Sequence, residues 1–335
     1  MTSVMEKPSL KNLHRKLYVT RAIALLLAIT VVLMIVKIQS LSSYVAVLEK
    51  QTSTQTAQLS TFERTLCSDK AAASPVTQLS KFNVQSAGYA RSYQVHTPNN
   101  YDSSVRYPVI MSFDGIEGSG NRIEAYSGLD ALPAIMVYLD ALPGKSGFTS
   151  WDGAPYSVDG NRDVQFVRSL LEVLPSQYCI DTTRVFAVGM SNGGSFATIV
   201  GCELGDQVRA VASVSGAYYT TCKEEERTPS LLVMHSVDDR QAPFAGSTAR
   251  RLPAISAWVE AQAAKRNCKT KIPTEFIWTT TYYNWHNCSD GSTLRLVALP
   301  NQAHGWLKIP EASSQRVQGT AGYIWEFFNE SSYRD

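Results

Sequence analysis

The sequence predicts an α/β protein: a mostly parallel sheet with helices on both faces, preceded by one N-terminal transmembrane helix. Three observations carry that reading. From about residue 80, short apolar runs of strand length alternate with stretches of helical apolar spacing, the pattern of strand–helix–strand units. The apolar runs are nearly continuous, so their strands are covered on both faces, as in a parallel sheet. Ahead of them stands an uncharged apolar run from Ala22 to Val36 behind a basic tail.

Taken in order, residues 1–17 read as a cytoplasmic tail, 18–40 as a signal-anchor helix, 41–79 as a polar stalk and 80–335 as the folded domain. Lys7, Lys11, Arg15, Lys16 and Arg21 face Glu6 alone, and this bias puts the N-terminus in the cytoplasm. Fifteen helical residues rise roughly 22 Å, short of the ~30 Å hydrocarbon core. Residues 18–20 and the snorkelling stems of Arg21 and Lys37 extend the span to membrane thickness. The alternative is a signal peptide cleaved in the permissive stretch 40–46; either segment exports the rest of the chain. The formal net charge of +2 thus sums over two compartments, and no basic patch is offered to nucleic acid.

All six cysteines, Cys67, Cys179, Cys202, Cys222, Cys268 and Cys288, lie beyond the apolar run, which suits disulfides in an exported domain. The expected pairs are Cys268 with Cys288 and Cys202 with Cys222, each closing a loop of about twenty residues, leaving Cys67 with Cys179. Free buried thiols are the alternative; a zinc site is disfavoured because no Cys-x-x-Cys spacing occurs. Strands are predicted over 107–113, 134–139, 184–188, 209–214, 231–235 and 294–299, and helices over 163–174, 195–204, 247–264 and 319–328.

The chemistry concentrates at Gly189-Met190-Ser191-Asn192-Gly193, a Gly-x-Ser-x-Gly pattern between an apolar strand and a helix. That context projects the serine on a sharp turn at a helix N-terminus, where the dipole favours developing negative charge. A serine needs a base. Of five histidines, His14 is cytoplasmic, His96 precedes the serine, and His235 is too early to follow an acid. His304, just past the last strand, is preferred over His286, which sits among aromatic residues in a hairpin-like stretch. The acid should come from the loop after the 231–235 strand, where spacing leaves Asp238 and Asp239 open. An oxyanion needs two placed donors. The N–H of Asn192 is one, and the Gly-rich loop 114–120 offers that of Ile116 as the second.

Together these residues resemble secreted α/β-hydrolase esterases of the feruloyl esterase, polyhydroxybutyrate depolymerase and acetylxylan esterase group. The resemblance runs from about Tyr89 to Trp325, most specifically through the stretch 178–194, with support from 107–115, 161–166, 211–217 and 304–306. It implies the α/β-hydrolase fold and a serine esterase with no metal or organic cofactor. The implied substrate is an ester attached to a polymer. The run from His235 to Asp239, followed by Pro243 and Phe244, matches the group's acid motif and selects Asp239; His304 before Trp306 matches its terminal histidine. Trp151 falls at a substrate-side aromatic position, as a stacking platform for a phenolic or sugar, and Trp306 is a further substrate contact. The alternatives are a short-acyl or polyhydroxybutyrate esterase, a peptidase on the same fold, and a surface binding module without catalysis. One departure bears on activity: Asp114 stands where the group carries His. A carboxylate facing the oxyanion would repel it, so catalysis requires Asp114 to be turned away or paired.

Overall fold

A computed structural model describes residues 30, 34, 37, 38, 79–220, 228–275, 280–309 and 319–332. The chain divides into two units, Met1–Arg64 and Thr65–Asp335, and the fold below belongs to the second. The expected tail, anchor and stalk lie outside the described residues, apart from Thr30, Met34, Lys37 and Ile38, which are helical and exposed, and Leu79. Among the described residues no helix is long and apolar enough to cross a membrane.

Among the described residues ten strands form one sheet: β1 (Ser80–Ser86), β2 (Tyr89–His96), β3 (Tyr107–Phe113), β4 (Ile135–Leu139), β5 (Ile180–Met190), β6 (Ala210–Val214), β7 (Ser230–Ser236), β8 (Thr270–Glu275), β9 (Thr281–His286) and β10 (Leu294–Leu299). Their order is β1-β2-β4-β3-β5-β6-β7-β10-β9-β8. The six central strands β4 to β10 run parallel, and the β1–β2 and β8–β9 hairpins add antiparallel edges. Five helices are described: α1 (Gly120–Ser127), α2 (Arg162–Gln177), α3 (Asn192–Glu203), α4 (Ile255–Lys265) and α5 (Gly319–Ser332).

The period of two along each strand sends alternate side chains into two cores. Val109, Met111 and Phe113 of β3 join Phe166 of α2, Phe196 of α3 and Val259 of α4 on one face. Ile110, with Phe186 and Val188 of β5, joins Ile123 of α1 and Phe328 of α5 on the other. Phe186 and Phe328 stack at 4.5 Å and 4°, so α5 closes the second layer. The expected helix over 247–264 begins only at Ile255. Ser247 and Leu252 instead exchange backbone hydrogen bonds in a tight turn, and Pro253 disfavours helix before it. Cys268 and Cys288 form a disulfide that ties the end of α4 to the end of β9. Cys179 and Cys202 are disulfide-bonded as well; Cys67 and Cys222, their expected partners, lie outside the described residues.

The chain steps from β3 outward to β4 and then crosses back to β5 on the other side of β3. This reversal makes the carboxyl ends of β3 and β5 a topological switch point, where open α/β sheets leave a crevice. The loop 114–119 and Ser191 both emerge there.

Candidate active site

Between β5 and α3 only Ser191 intervenes, with φ 55° and ψ −120°. This positive φ on a non-glycine residue costs about 1–3 kcal/mol and holds the side chain out of the turn. The flanking glycines are required by close approach, not by φ. A Cβ on Gly189 would lie 2.2 Å from Gly193 O, and one on Gly193 would lie 2.1 Å from Phe113 O and 2.3 Å from Asp114 O. The Ser191 N–H donates to Val214 O at 2.9 Å, which ties the elbow to β6.

His304 stands on the loop after β10, and its Nε2 lies 2.8 Å from Ser191 Oγ. Its Nδ1 lies 2.7 Å from Asp239 Oδ2 on the loop after β7. A carboxylate accepts, so Nδ1 carries the proton and Nε2 is left to accept from the serine hydroxyl. Asp239 is buried; its Oδ1 accepts from the amides of Gln241 (2.8 Å) and Ala242 (2.9 Å). His235 Nε2 donates to Ala242 O at 2.7 Å and sits 3.4 Å from Asp239 Oδ2. Burial pushes the Asp239 carboxyl up, but hydrogen bonds from His235, His304 and Ala242 outweigh it and hold the group well below the usual carboxylate range.

The neighbouring Asp238 is exposed and does different work. Its Oδ2 accepts from the Asn301 N–H at 2.6 Å, anchoring the start of the loop that carries His304. Ser236 Oγ donates to Gln302 O (2.6 Å) and Ser215 Oγ to Gly305 O (2.8 Å), so strand-end hydroxyls hold that loop on both sides of the histidine. Sequence reasoning missed these serines; a hydroxyl at a strand end carries no signal without the loop above it.

Asn192 opens α3, so its N–H has no intrahelical acceptor. In the facing loop the amides of Gly115, Glu117 and Gly118 bond Asp114 Oδ1, Thr149 O and Gly115 O, while the Ile116 N–H between them finds no protein acceptor among the described residues. A Cβ on Gly115 would lie 3.2 Å from Ser191 Cβ, so this loop runs against the serine. Asp114 is turned away and fully paired. It accepts from Arg122 Nε (2.5 Å) and Nη2 (3.2 Å), Tyr126 OH (2.6 Å), and the amides of Gly115 (2.7 Å) and Ser119 (3.2 Å). Arg122 and Tyr126, both on α1, were not singled out from the sequence, where nothing marks them as partners of a residue eight or twelve positions away.

Trp151 is corrected. It is 1% exposed, stacked on Phe196 at 5.0 Å and edge-on to Phe113 at 5.2 Å, so no ring face is open to a ligand. Its Nε1 donates to Asp114 O (2.9 Å), and its backbone N–H donates to Asn192 Oδ1 (2.7 Å) while its carbonyl accepts from Asn192 Nδ2 (3.3 Å). Trp151 therefore braces the loop that starts at Asp114 against α3. Trp306 is half-buried, 6.1 Å from the Tyr126 ring, and lines a cleft of roughly 860 Å³ with Arg122, Tyr126, Met190, Gly305 and Lys308. Met190 precedes Ser191 and Gly305 follows His304, but neither Ser191 nor His304 itself lines this cleft. Among the described residues no group of three or more His, Cys, Asp or Glu is arranged to hold a metal ion.

A serine on a strand-to-helix elbow, in line with a histidine and a buried aspartate at the carboxyl edge of a mostly parallel sheet, defines the α/β-hydrolase class. Residues 85–286 match the Esterase family, and the chain belongs to it. It is 22% identical over 250 residues to a bifunctional acetylxylan esterase/xylanase (XynS20E) of Neocallimastix patriciarum, covering 72% of this chain and 34% of that protein. It is 29% identical over 167 residues to feruloyl esterase D of Neurospora crassa, covering 45% of this chain and 54% of the relative. The matched stretch thus spans between about a third and just over half of these relatives' length. Among solved structures, an acetyl xylan esterase from Aspergillus awamori superposes with a TM-score of 0.56 at 14% identity, covering 75% of this chain and 99% of that one, which supports the fold.

Proposed function

We propose that this protein is an exported serine carboxylesterase acting on acyl esters carried by polysaccharide, of the feruloyl or acetyl type. The observation that carries the reading is the Ser191–His304–Asp239 line, with links of 2.8 and 2.7 Å. Ser191 Oγ attacks the ester carbonyl carbon as His304 Nε2 takes the hydroxyl proton. The Asp239 carboxylate, kept ionised by its own hydrogen bonds, stabilises the imidazolium. The oxyanion accepts from the N–H groups of Asn192 and Ile116; each such donor is worth about 10²–10³ in rate. The tetrahedral intermediate collapses, the alcohol leaves with the proton from His304, and water repeats the sequence to release the acid and restore the serine.

The pairing of Asp114 with Arg122 and Tyr126 supports an active enzyme over a binding module, because no carboxylate charge is left facing the oxyanion. Trp306 and Tyr126 share a cleft with Met190 and Gly305, the chain neighbours of Ser191 and His304, which supports an aromatic wall for the acyl or sugar group. Disulfides in the folded domain support export. The apolar segment 18–40 behind four basic residues supports retention as a signal-anchor.

The folded domain from about residue 67 is expected to hydrolyse p-nitrophenyl acetate, and Ser191→Ala to remove that activity. Equal turnover by the variant would overturn the serine mechanism. Methyl ferulate, acetylated xylan and short polyhydroxybutyrate chains, compared by kcat/KM, assign the acyl group; highest values on polyhydroxybutyrate would displace the polysaccharide assignment. Sequencing the mature N-terminus tests the anchor, and a start near residue 47 would reject it.

A further inference from the structure

Between α2, α3 and α4 lies a second cavity, of about 250 Å³, which shares no lining residue with the cleft that Trp306 lines. Val164 and Leu231 give it an apolar wall. Four other lining side chains are buried polar groups, and each leaves an atom without a hydrogen-bond partner: Asp152 Oδ1, Trp258 Nε1, Gln262 Nε2 and Arg266 Nε. These residues are 3%, 6%, 2% and 5% exposed, so bulk water does not reach them freely. An unmet buried donor or acceptor costs about 1–3 kcal/mol, and most native groups avoid it. Four such atoms around one cavity point to an occupant that meets them.

The donor set describes that occupant. Trp258 Nε1, Gln262 Nε2 and Arg266 Nε are N–H donors; Asp152 Oδ1 is a carboxylate oxygen. Arg266 donates through Nη1 to Pro229 O (2.6 Å) and Ser292 Oγ (3.2 Å), and has no ion pair among the described residues. Burial pushes its pKa down to about 10, against the opposing field of Asp290. A buried cation with unused donors beside it calls for an anion with acceptor oxygens. The other acidic lining residue, Glu203, is exposed and leaves that demand unmet.

We propose that this cavity binds a small hydroxy-carboxylate, with its carboxylate on Arg266, Gln262 and Trp258, its hydroxyl on Asp152, and its carbon chain against the apolar wall. The volume holds about eight waters at ~30 Å³ each, which sets the occupant at a similar number of heavy atoms.

Calorimetric titration of the intact protein tests this with three probes of one size: 3-hydroxybutyrate, butyrate and 1,3-butanediol. 3-Hydroxybutyrate is expected to bind saturably at one site, butyrate at least tenfold more weakly, and the diol without detectable heat. Gln262→Leu should weaken 3-hydroxybutyrate tenfold or more while leaving p-nitrophenyl acetate turnover and the melting temperature unchanged. Should that variant melt early, Trp258→Phe repeats the measurement with a conservative change. Absence of saturable heat, equal affinity for the three probes, or unchanged binding in the folded variant would overturn the proposal. So would a crystal structure grown with 3-hydroxybutyrate that shows only ordered water in the cavity. Binding is read directly, so this result stands apart from whether the protein hydrolyses esters.

Discussion

Two adjacent aspartates divide one task at the residue scale. Asp239 faces His304 Nδ1, while Asp238 holds the backbone of Asn301 three residues before that histidine. Spacing could not separate them, because consecutive residues leave a loop in opposite directions and only the fold says which is inward. Asp239→Asn keeps the size but offers an amide donor to Nδ1, favouring the wrong tautomer. kcat/KM on p-nitrophenyl acetate should fall by about 10³–10⁴. Asp238→Asn retains an acceptor oxygen for Asn301 and should cost less than about tenfold. A comparable loss in both variants would remove the distinction. Asp114 teaches the same lesson. Its charge reads as an obstacle in the sequence, yet Arg122 and Tyr126 on the next helix neutralise and bond it.

The geometry around Ser191 at the element scale depends on how closely the start of α3 approaches the end of β3. The backbone carbonyls of Phe113 and Asp114 occupy the space that a Cβ on Gly193 would need. Backbone cannot yield as a flexible side chain can. Gly193→Ala should therefore destabilise the protein by at least about 2 kcal/mol, read as a lowered midpoint in urea unfolding. A midpoint within error of the wild type would show that the elbow can relax. The strands were legible where burial made them continuous: β3 and β10 begin and end as expected, and β4, β6 and β7 agree within a residue. The edge strands β1, β2 and β8 and the short helix α1 were not, since their sequences mix polar with apolar residues and carry only a weak period. The hairpin-like stretch around His286 is β9, paired with β8.

At the scale of the whole molecule, two buried carboxyls, Asp152 and Asp239, are shifted in opposite directions and couple stability to pH in opposite senses. Asp152 is pushed up to about 7, by burial first and by the Asp163 carboxylate second. The two share reciprocal bonds, Asp152 N–H to Asp163 Oδ2 (3.0 Å) and Asp163 N–H to Asp152 Oδ2 (2.9 Å), with Arg91 2.8 Å from Asp163 and Arg162 nearby. The unfolded value is near 3.9, so the folded state holds the extra proton between roughly pH 4 and 7. Stability from this group therefore falls as pH rises through that window and is level above it. Asp152→Asn removes the slope and should raise the melting temperature at pH 8 by about 3 °C, with little change at pH 4. An unchanged difference between the two pH values would contradict the linkage. Asp239 acts in reverse: its depressed value gives stability that is full above the unfolded pKa and is lost as pH falls through the folded one.

Local chemistry written along the chain was enough for the sheet class, the elbow around Ser191, the choice of His304 as the histidine that faces it and the Cys268–Cys288 pair. Each rests on short-range features: apolar runs, paired glycines, or a short loop between cysteines. Packing settled what depends on residues far apart in sequence. Trp151 turned from an imagined platform into a buried brace because Phe113 and Phe196 close over its ring. Asp114 lost its threat because α1 folds back onto it. The orphaned polar atoms around the second cavity meet only when the loop that carries Asp152 packs beside α4 and Arg266, far apart in the chain. Side chains that distant have no periodicity or spacing in common, so their shared chemistry exists only once the chain has folded.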